Sequence, residues 1–262
     1  MALSEALVGQ LARVLDQGMR QATELERITA SHPELSLADA YLIQAEGIRL
    51  RESRGEKRIG LKMGLTSQAK REQMGLGLPI YGVLTDQMQV LNAHFSLAGK
   101  IHPKIEPEIA FLTGKELRGK ISIEEAYAAC IGTCSAMEIL DSRFRGFKYF
   151  SLPDVVADNS SSAYFILGEW KMGNPHALQL SELSMEMLVN GQVVQSARAD
   201  AISGDPIRSL VQLCDLLAET DQSLPAGSIV LAGAATAAVA LEAGMRVELR
   251  VASLPSVFIT ID

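Results

Sequence analysis

Cysteine, histidine and excess positive charge are all scarce in this chain, and each scarcity removes a class of protein. The three cysteines, Cys130, Cys134 and Cys214, are odd in number and form no Cys-x-x-Cys pair. Neither a disulfide framework nor a zinc cluster is expected, and a reducing, cytoplasmic compartment fits. Cys214 falls in an apolar helical pattern and reads as core. The histidines, His32, His94, His102 and His176, sit in loop-like contexts; all four are expected to be structural or solvent-facing. No apolar run reaches membrane-span length. The amino terminus carries acids from Glu5 onward instead of a basic start and an apolar stretch, so no secretory signal is expected. Acids outnumber bases, 31 to 24, which argues against nucleic acid as a partner. There is no Gly-x-Gly-x-x-Gly after a strand and no phosphate-binding Gly-Lys-Ser/Thr loop, so nucleotide chemistry is unsupported.

What is present is globular: 48% hydrophobic and 21% charged residues over 262 positions, enough for one large domain with or without a small appendage. The first fifty or so residues read as helical, with Leu7, Leu11, Val14 and Leu15, then Leu37, Tyr41, Ala45 and Ile48, at helical spacing. Ser36 is an N-cap with Asp39 as its capping-box partner. The polar stretch 52–58 marks a boundary, which divides the chain into a helical region, 1–55, and a larger part, 56–262.

Beyond it, strands are expected at 59–65, 105–112, 133–140, 228–233, 244–251 and 256–261. A short helix is expected at SQAKREQM, and another opens at Ser122 with Glu125. Asn190-Gly191 suits a type I′ hairpin turn within 184–199. Asp205 and Pro206 start an amphipathic helix, and GAATAAVA at 233–240 reads as a tightly packed loop. Helices first and strands afterwards give an α+β class.

Three anomalies carry chemistry. On a strand, Glu106 and Glu108 share one face while Ile105, Ile109 and Phe111 take the other. A third acid, Glu138, interrupts the apolar TCSAMEIL and needs a partner or a metal. Three carboxylates would suit a hard cation such as Mg2+ or Mn2+ and leave about half of an octahedral shell open. A solvated acidic face is the competing reading, and spacing alone leaves both open. Lys62 interrupts IGLKMGL: it is either an edge lysine reaching solvent or a cation beside an anionic substrate. Asp158-Asn159-Ser160-Ser161-Ser162 is either a turn or a set of polar groups at a sheet mouth.

Taken in order, IGLKMGLTSQAKREQMG, PIYGVLTDQM, IHPKIEPEIAF, MEILDSRFRGFKYF and VVADNSSSAYFILG resemble the signature blocks of the 4-oxalocrotonate decarboxylases. These belong to the branch of the fumarylacetoacetate hydrolase superfamily that also holds the 2-oxopent-4-enoate (vinylpyruvate) hydratases. The resemblance runs over nearly the whole chain, Pro225-Ala226-Gly227 included. It implies an N-terminal helical part followed by a mixed β-roll or sandwich catalytic domain. It also implies Mg2+ or Mn2+ held by Glu106, Glu108 and Glu138, with catalytic roles for Lys62, Asp158 and Asn159. Leu65, Thr66, Ser67 and Ser160 are implied as substrate-binding.

The implied substrate is a small dicarboxylate 2-oxo acid, 2-oxo-3-hexenedioate, from meta-cleavage of aromatic compounds. A complex with the hydratase, and a homo-oligomer, are further expectations. Hydratases of this kind show Pro-Asp-Phe-Gly where this chain has Pro79-Ile80-Tyr81-Gly82, and Ile80 removes that candidate acid. Three rivals remain: a hydratase; a non-catalytic hydratase partner; and an acylpyruvate hydrolase, disfavoured because no His-Glu pair shows near the helical start.

Overall fold

A serine opens each of the two long N-terminal helices. In the computed structural model, which describes residues 3–66, 79–147 and 151–262, α1 (Glu5–Gln21) follows Ser4, whose hydroxyl accepts the Leu7 N–H. A single turn, α2 (Ile28–Ser31), leads to α3 (Leu37–Glu52). Ser36 accepts the Asp39 N–H at 3.1 Å, and the Asp39 carboxylate in turn takes the Ser36 hydroxyl and the Leu3 N–H. The buried faces differ from the expected ones. Val8, Ala12, Leu15 and Gly18 are buried on α1, and Ala40, Ile43, Gln44 and Ile48 on α3, whereas Val14, Leu37 and Ala45 are exposed. Helix α1 is clearly amphipathic, whereas apolar residues nearly encircle α3, so periodicity alone does not fix its rotation. Small residues do, because Ala12, Gly18 and Ala40 permit close approach; a Cβ on Gly18 would stand 2.7 Å from Leu25.

The strands are β1 (Arg58–Gly64), β2 (Ile80–Thr85), β3 (His94–Phe95), β4 (Lys104–Thr113), β5 (Leu117–Arg118), β6 (Cys130–Leu140), β7 (Ser162–Leu167), β8 (Lys171–Met172), β9 (Ser184–Val189), β10 (Gln192–Arg198), β11 (Ser223–Leu224), β12 (Ile229–Leu231), β13 (Val239–Ala240), β14 (Arg246–Val251) and β15 (Val257–Ile261). The large sheet runs β2-β1-β12-β4-β6-β7, with β13 on β4 and β8 on β6; a second sheet runs β10-β9-β14-β15-β3. Asn190 and Gly191 make the hairpin turn with φ of 50° and 82°, as their sequence requires. The helix expected from Pro206, with Asp205 as its cap, begins two residues later, at Arg208, because Asp205 accepts the Ile207 N–H in a preceding turn. The helix expected at SQAKREQM lies outside the described residues. All three cysteines are buried and free.

Register decides what each face of the large sheet carries. Met63, Ile105, Ile109, Phe111, Met137 and Ile166 point one way, into the main core shared with β9, β14, β15 and the helix Arg208–Ala218. Cross-strand pairing puts Lys62 opposite Gly82 and Leu231, Glu106 opposite Glu138, and Glu108 opposite Ala136. These lie on the other face, beside a smaller apolar group that includes Leu84, Ala110, Ala136, Phe165 and Leu231. The fold is thus α+β, with an N-terminal helical part against a mixed-sheet domain.

The helices share a core with Ile80, Phe144, Val156 and Ala157, and Gln44 ties them on. Its buried amide donates to Tyr81 O (3.1 Å) and to Val156 O (3.0 Å). Gln44→Leu removes both bonds, leaving Tyr81 O to Ser160 alone, and should lower the unfolding free energy by about 1–3 kcal/mol, measured by urea denaturation. An unchanged midpoint would mean that apolar contact alone holds α3 in place.

Candidate metal centre

Pro107 separates the two glutamates of β4, and its missing N–H opens the sheet where it matters. β12 pairs with β4 at 110–112 and β13 at 104–105; between them the connecting segment bonds only at Ala232 N–H to Ile109 O and Ala235 N–H to Pro107 O. A proline is tolerated in this gap because the ladder asks no donor of it. The gap frees the Gly233 N–H, which donates to Glu108 Oε2 at 2.7 Å.

Carboxylate oxygens of Glu106, Glu108 and Glu138 come within 4.8 Å of one another. Glu108 and Glu138 are fully buried and Glu106 half-buried. Glu138 is held at both ends: Lys62 Nζ lies 3.1 Å from Oε2, and the Ser162 hydroxyl donates to Oε1 at 2.6 Å. Glu108 Oε1, by contrast, is buried with no hydrogen-bond partner among the described residues. Burial, then the charges of Glu138 and Glu106, push the Glu108 carboxyl well above its ordinary pKa. Burial pulls the Lys62 ammonium down, but the attraction of Glu138, Glu106 and Glu108 outweighs it and the net direction is up.

Among the described residues, three carboxylates face one ammonium in this site, an excess of acid that burial makes unfavourable. The donor set is all oxygen and hard, and one lone pair is orphaned, so the residues fit a divalent cation of the Mg2+ or Mn2+ kind.

Lys62 stands among the carboxylates because its neighbour across the strand has no side chain. A Cβ on Gly82 would come 3.2 Å from Lys62 Cε and 2.7 Å from Asn159 O. The turn behind it consists of Asn159, Ser160 and Ser161, all with positive φ and all buried. Asn159 clamps β2, its Oδ1 accepting the Val83 N–H (2.8 Å) and its Nδ2 donating to Val83 O (3.0 Å), while Ser160 donates to Tyr81 O (2.8 Å). Asp158 forms a buried ion pair with Arg143, whose backbone N–H it also accepts. Burial raises the Asp158 carboxyl to about 6 even so, against the pull of Arg143. The side-chain polar atoms of Asn159 are therefore engaged with β2, and those of Asp158 with Arg143.

Leu65 has a φ of 56° and packs against the helical core. Thr66 is buried over Gly233, where a Cβ would meet its Oγ1 at 2.4 Å. Ser67 lies outside the described residues.

Ser162 was read from the sequence only as the end of the 158–162 polar cluster, and Gly82 and Gly233 were not singled out. Ser162 closes the polar cluster, but it reaches Glu138 through the register shift between Ile139 and Leu140, which alternation along β7 does not reveal; nothing local marks the glycines. The structure also forms an unexpected His-Glu pair, His102 Nε2 to Glu24 Oε1 at 2.7 Å, just past α1. The lack of such a pair therefore cannot count against a hydrolase. No histidine joins the carboxylate group among the described residues.

A family model described as fumarylacetoacetate (FAA) hydrolase, C-terminal, matches residues 84–261. A 4-oxalocrotonate decarboxylase of Pseudomonas sp is 42% identical over 250 residues, covering 95% of this chain and 96% of its own. The chain belongs to the fumarylacetoacetate hydrolase family. A 2-hydroxyhexa-2,4-dienoate hydratase of Comamonas testosteroni is 35% identical, with 90% of both chains covered. Among solved structures, the 4-oxalocrotonate decarboxylase of Pseudomonas putida G7, complexed with magnesium and adipate, superposes with a TM-score of 0.95 at 37% identity, covering 100% of this chain and 99% of that one.

Two outcomes test the geometry within this family. Ser162→Ala should fold normally yet bind Mg2+ 10–100-fold more weakly by calorimetry; wild-type affinity would leave the 2.6 Å bond without consequence. The second concerns Glu108. A carboxyl whose folded pKa lies above its unfolded value costs stability as pH rises past the unfolded value. Without metal, Glu108→Gln should therefore melt higher than wild type at neutral pH, and it should lose the stabilisation that Mg2+ gives. A lower melting temperature in EDTA would contradict the charge surplus.

Proposed function

We propose that this chain is a divalent-metal-dependent carboxy-lyase that converts 2-oxo-3-hexenedioate (4-oxalocrotonate) to 2-hydroxypenta-2,4-dienoate and CO2 in meta-cleavage catabolism of aromatic compounds. The observation that carries the reading is the buried Glu106–Glu108–Glu138 group with Lys62 inside it, in a chain 42% identical to a 4-oxalocrotonate decarboxylase. In this reading residues 1–55 form a helical buttress and 56–262 the catalytic domain.

Glu106, Glu108 and Glu138 would hold Mg2+ or Mn2+, which when bound supplies Lewis acidity toward the 2-oxo acid end of the substrate. The C5–C6 bond breaks, its electron pair passes through the double bond to the 2-oxo oxygen, and a proton taken up there gives the dienol. Lys62, kept charged by its three acidic neighbours, offers positive charge or a proton to that oxygen. Asn159 positions it through β2 and Gly82, with Asp158 holding the turn through Arg143, and the catalytic roles implied for both residues belong to the same reading. Leu65, Thr66 and Ser160 would border the substrate, and Ser67, outside the described residues, is proposed as a further substrate-binding residue. Ile80 is buried on the carboxylate-bearing side, cross-strand from Gly64, so that strand offers an apolar wall where a hydratase would carry an acid to assist water.

The dienol is labile, which favours handing it to the hydratase within a complex. That complex, a homo-oligomer and a cytoplasmic setting belong to the same proposal; among the described residues no helix is long and apolar enough to cross a membrane.

The ultraviolet absorbance of 2-oxo-3-hexenedioate, and separately of 2-hydroxypenta-2,4-dienoate, followed with and without Mg2+, tests the reading. Metal-dependent loss of the first compound with release of CO2 is expected, and Lys62→Met should lower kcat at least about 100-fold, the scale of general acid catalysis. Turnover of the second compound alone would identify a hydratase, and no turnover of either a non-catalytic partner.

A further inference from the structure

Where α1 and α3 lie against the Asp158–Asn159 turn, they leave a partly open cavity of about 30 Å³. Its polar lining comes from Asp16, Gln44, Arg51, Arg143, Asp158 and Asn159. Most of these groups are already matched. Arg143 is paired with Asp158, and Asp16 takes both terminal nitrogens of Arg54 at 2.9 and 2.7 Å. The side-chain amides of Gln44 and Asn159 are bound to backbone, as described above.

Arg51 is the exception. Its side chain is buried, with 7% of the residue exposed. Its Nη2 lies 2.7 Å from Met19 Sδ, a thioether and so a weak acceptor. Among the described residues no carboxylate forms an ion pair with it. Asp16 and Glu56 attract it only from longer range, while Arg143 repels it. The carbonyl end of α3 helps, since Arg51 stands in its last turn. That partial charge is smaller than the full one it faces. A buried guanidinium without a counter-charge is strongly unfavourable, and a water molecule would satisfy an N–H without supplying charge.

We propose that this cavity is an anion site, in which a halide ion sits against the Arg51 guanidinium and ties α1 and α3 to the turn that braces β2. The size of the cavity selects the ligand class. One water needs about 10–15 Å³ of such space, so 30 Å³ suits a monatomic ion, alone or with one water, better than a sulfate or phosphate. The site is separate from the carboxylate group but mechanically joined to it. Asn159 lines the cavity and also clamps Val83, one residue from the Gly82 that makes room for Lys62.

Thermal unfolding of the full chain tests this, with sodium bromide replacing sodium gluconate at constant ionic strength. Wild type should show a saturating rise in melting temperature with bromide. Arg51→Met should lose that rise, or need at least ten times more bromide for half of it. A response equal in the two proteins, or none beyond gluconate in wild type, overturns the proposal. If Arg51→Met does not fold, bromide-soaked crystals of wild type decide the matter. An anomalous peak within hydrogen-bond distance of the Arg51 guanidinium is expected; water alone in the cavity, or Arg51 paired directly with Glu56, overturns it.

Discussion

Burial of three carboxylates around a single ammonium is the constraint on which the rest of this molecule depends. Glu108 and Glu138 are fully enclosed, Glu106 partly so, and Lys62 supplies the only positive charge described among them. Such a group is a liability in a protein that folds without a counter-ion, since neither carboxylate can reach water. The surrounding structure does not relieve the charge; it holds it in place. Ser162 and Lys62 fix the two oxygens of Glu138, and Gly233 fixes one oxygen of Glu108. The oxygen left over, Glu108 Oε1, marks where the missing charge belongs.

That arrangement explains several features that otherwise look unrelated. Pro107 interrupts the ladder so that the segment after β12 can bring a backbone N–H to Glu108. Gly82 keeps the space for Lys62, and the turn at 159–161 adopts positive φ so that Asn159 can clamp β2 from behind. The Arg143–Asp158 pair anchors that turn, and Gln44 anchors the helices to it. The chain of support runs from α3 through the turn to β2, Gly82 and Lys62. The N-terminal helices thus belong to the architecture of the site even though no residue of theirs is among its carboxylates.

Much of this could be read from the sequence where the signal was local. Alternation placed Glu106 and Glu108 on one face, an acid in an apolar strand marked Glu138, and Asn190-Gly191 forced a hairpin. Spacing marked both segments as helical, but in α3 the apolar residues are spread around the helix, and packing of small residues settles which of them are buried. Contacts that depend on distant register were invisible: Lys62 meets Glu138 across 76 positions, and Gly233 meets Glu108 across 125. The Glu24–His102 pair is of the same kind. Asp158 and Asn159 were found as a cluster, but only geometry shows that Asn159 engages β2 and Asp158 pairs with Arg143.

Anomalous diffraction from crystals soaked in Mn2+ tests the central claim most directly. One peak per chain is predicted, within coordination distance of an oxygen from each of Glu106, Glu108 and Glu138, with Glu108 Oε1 among the ligands. A peak elsewhere, or none at saturating Mn2+ with the three carboxylates still clustered, would contradict the account.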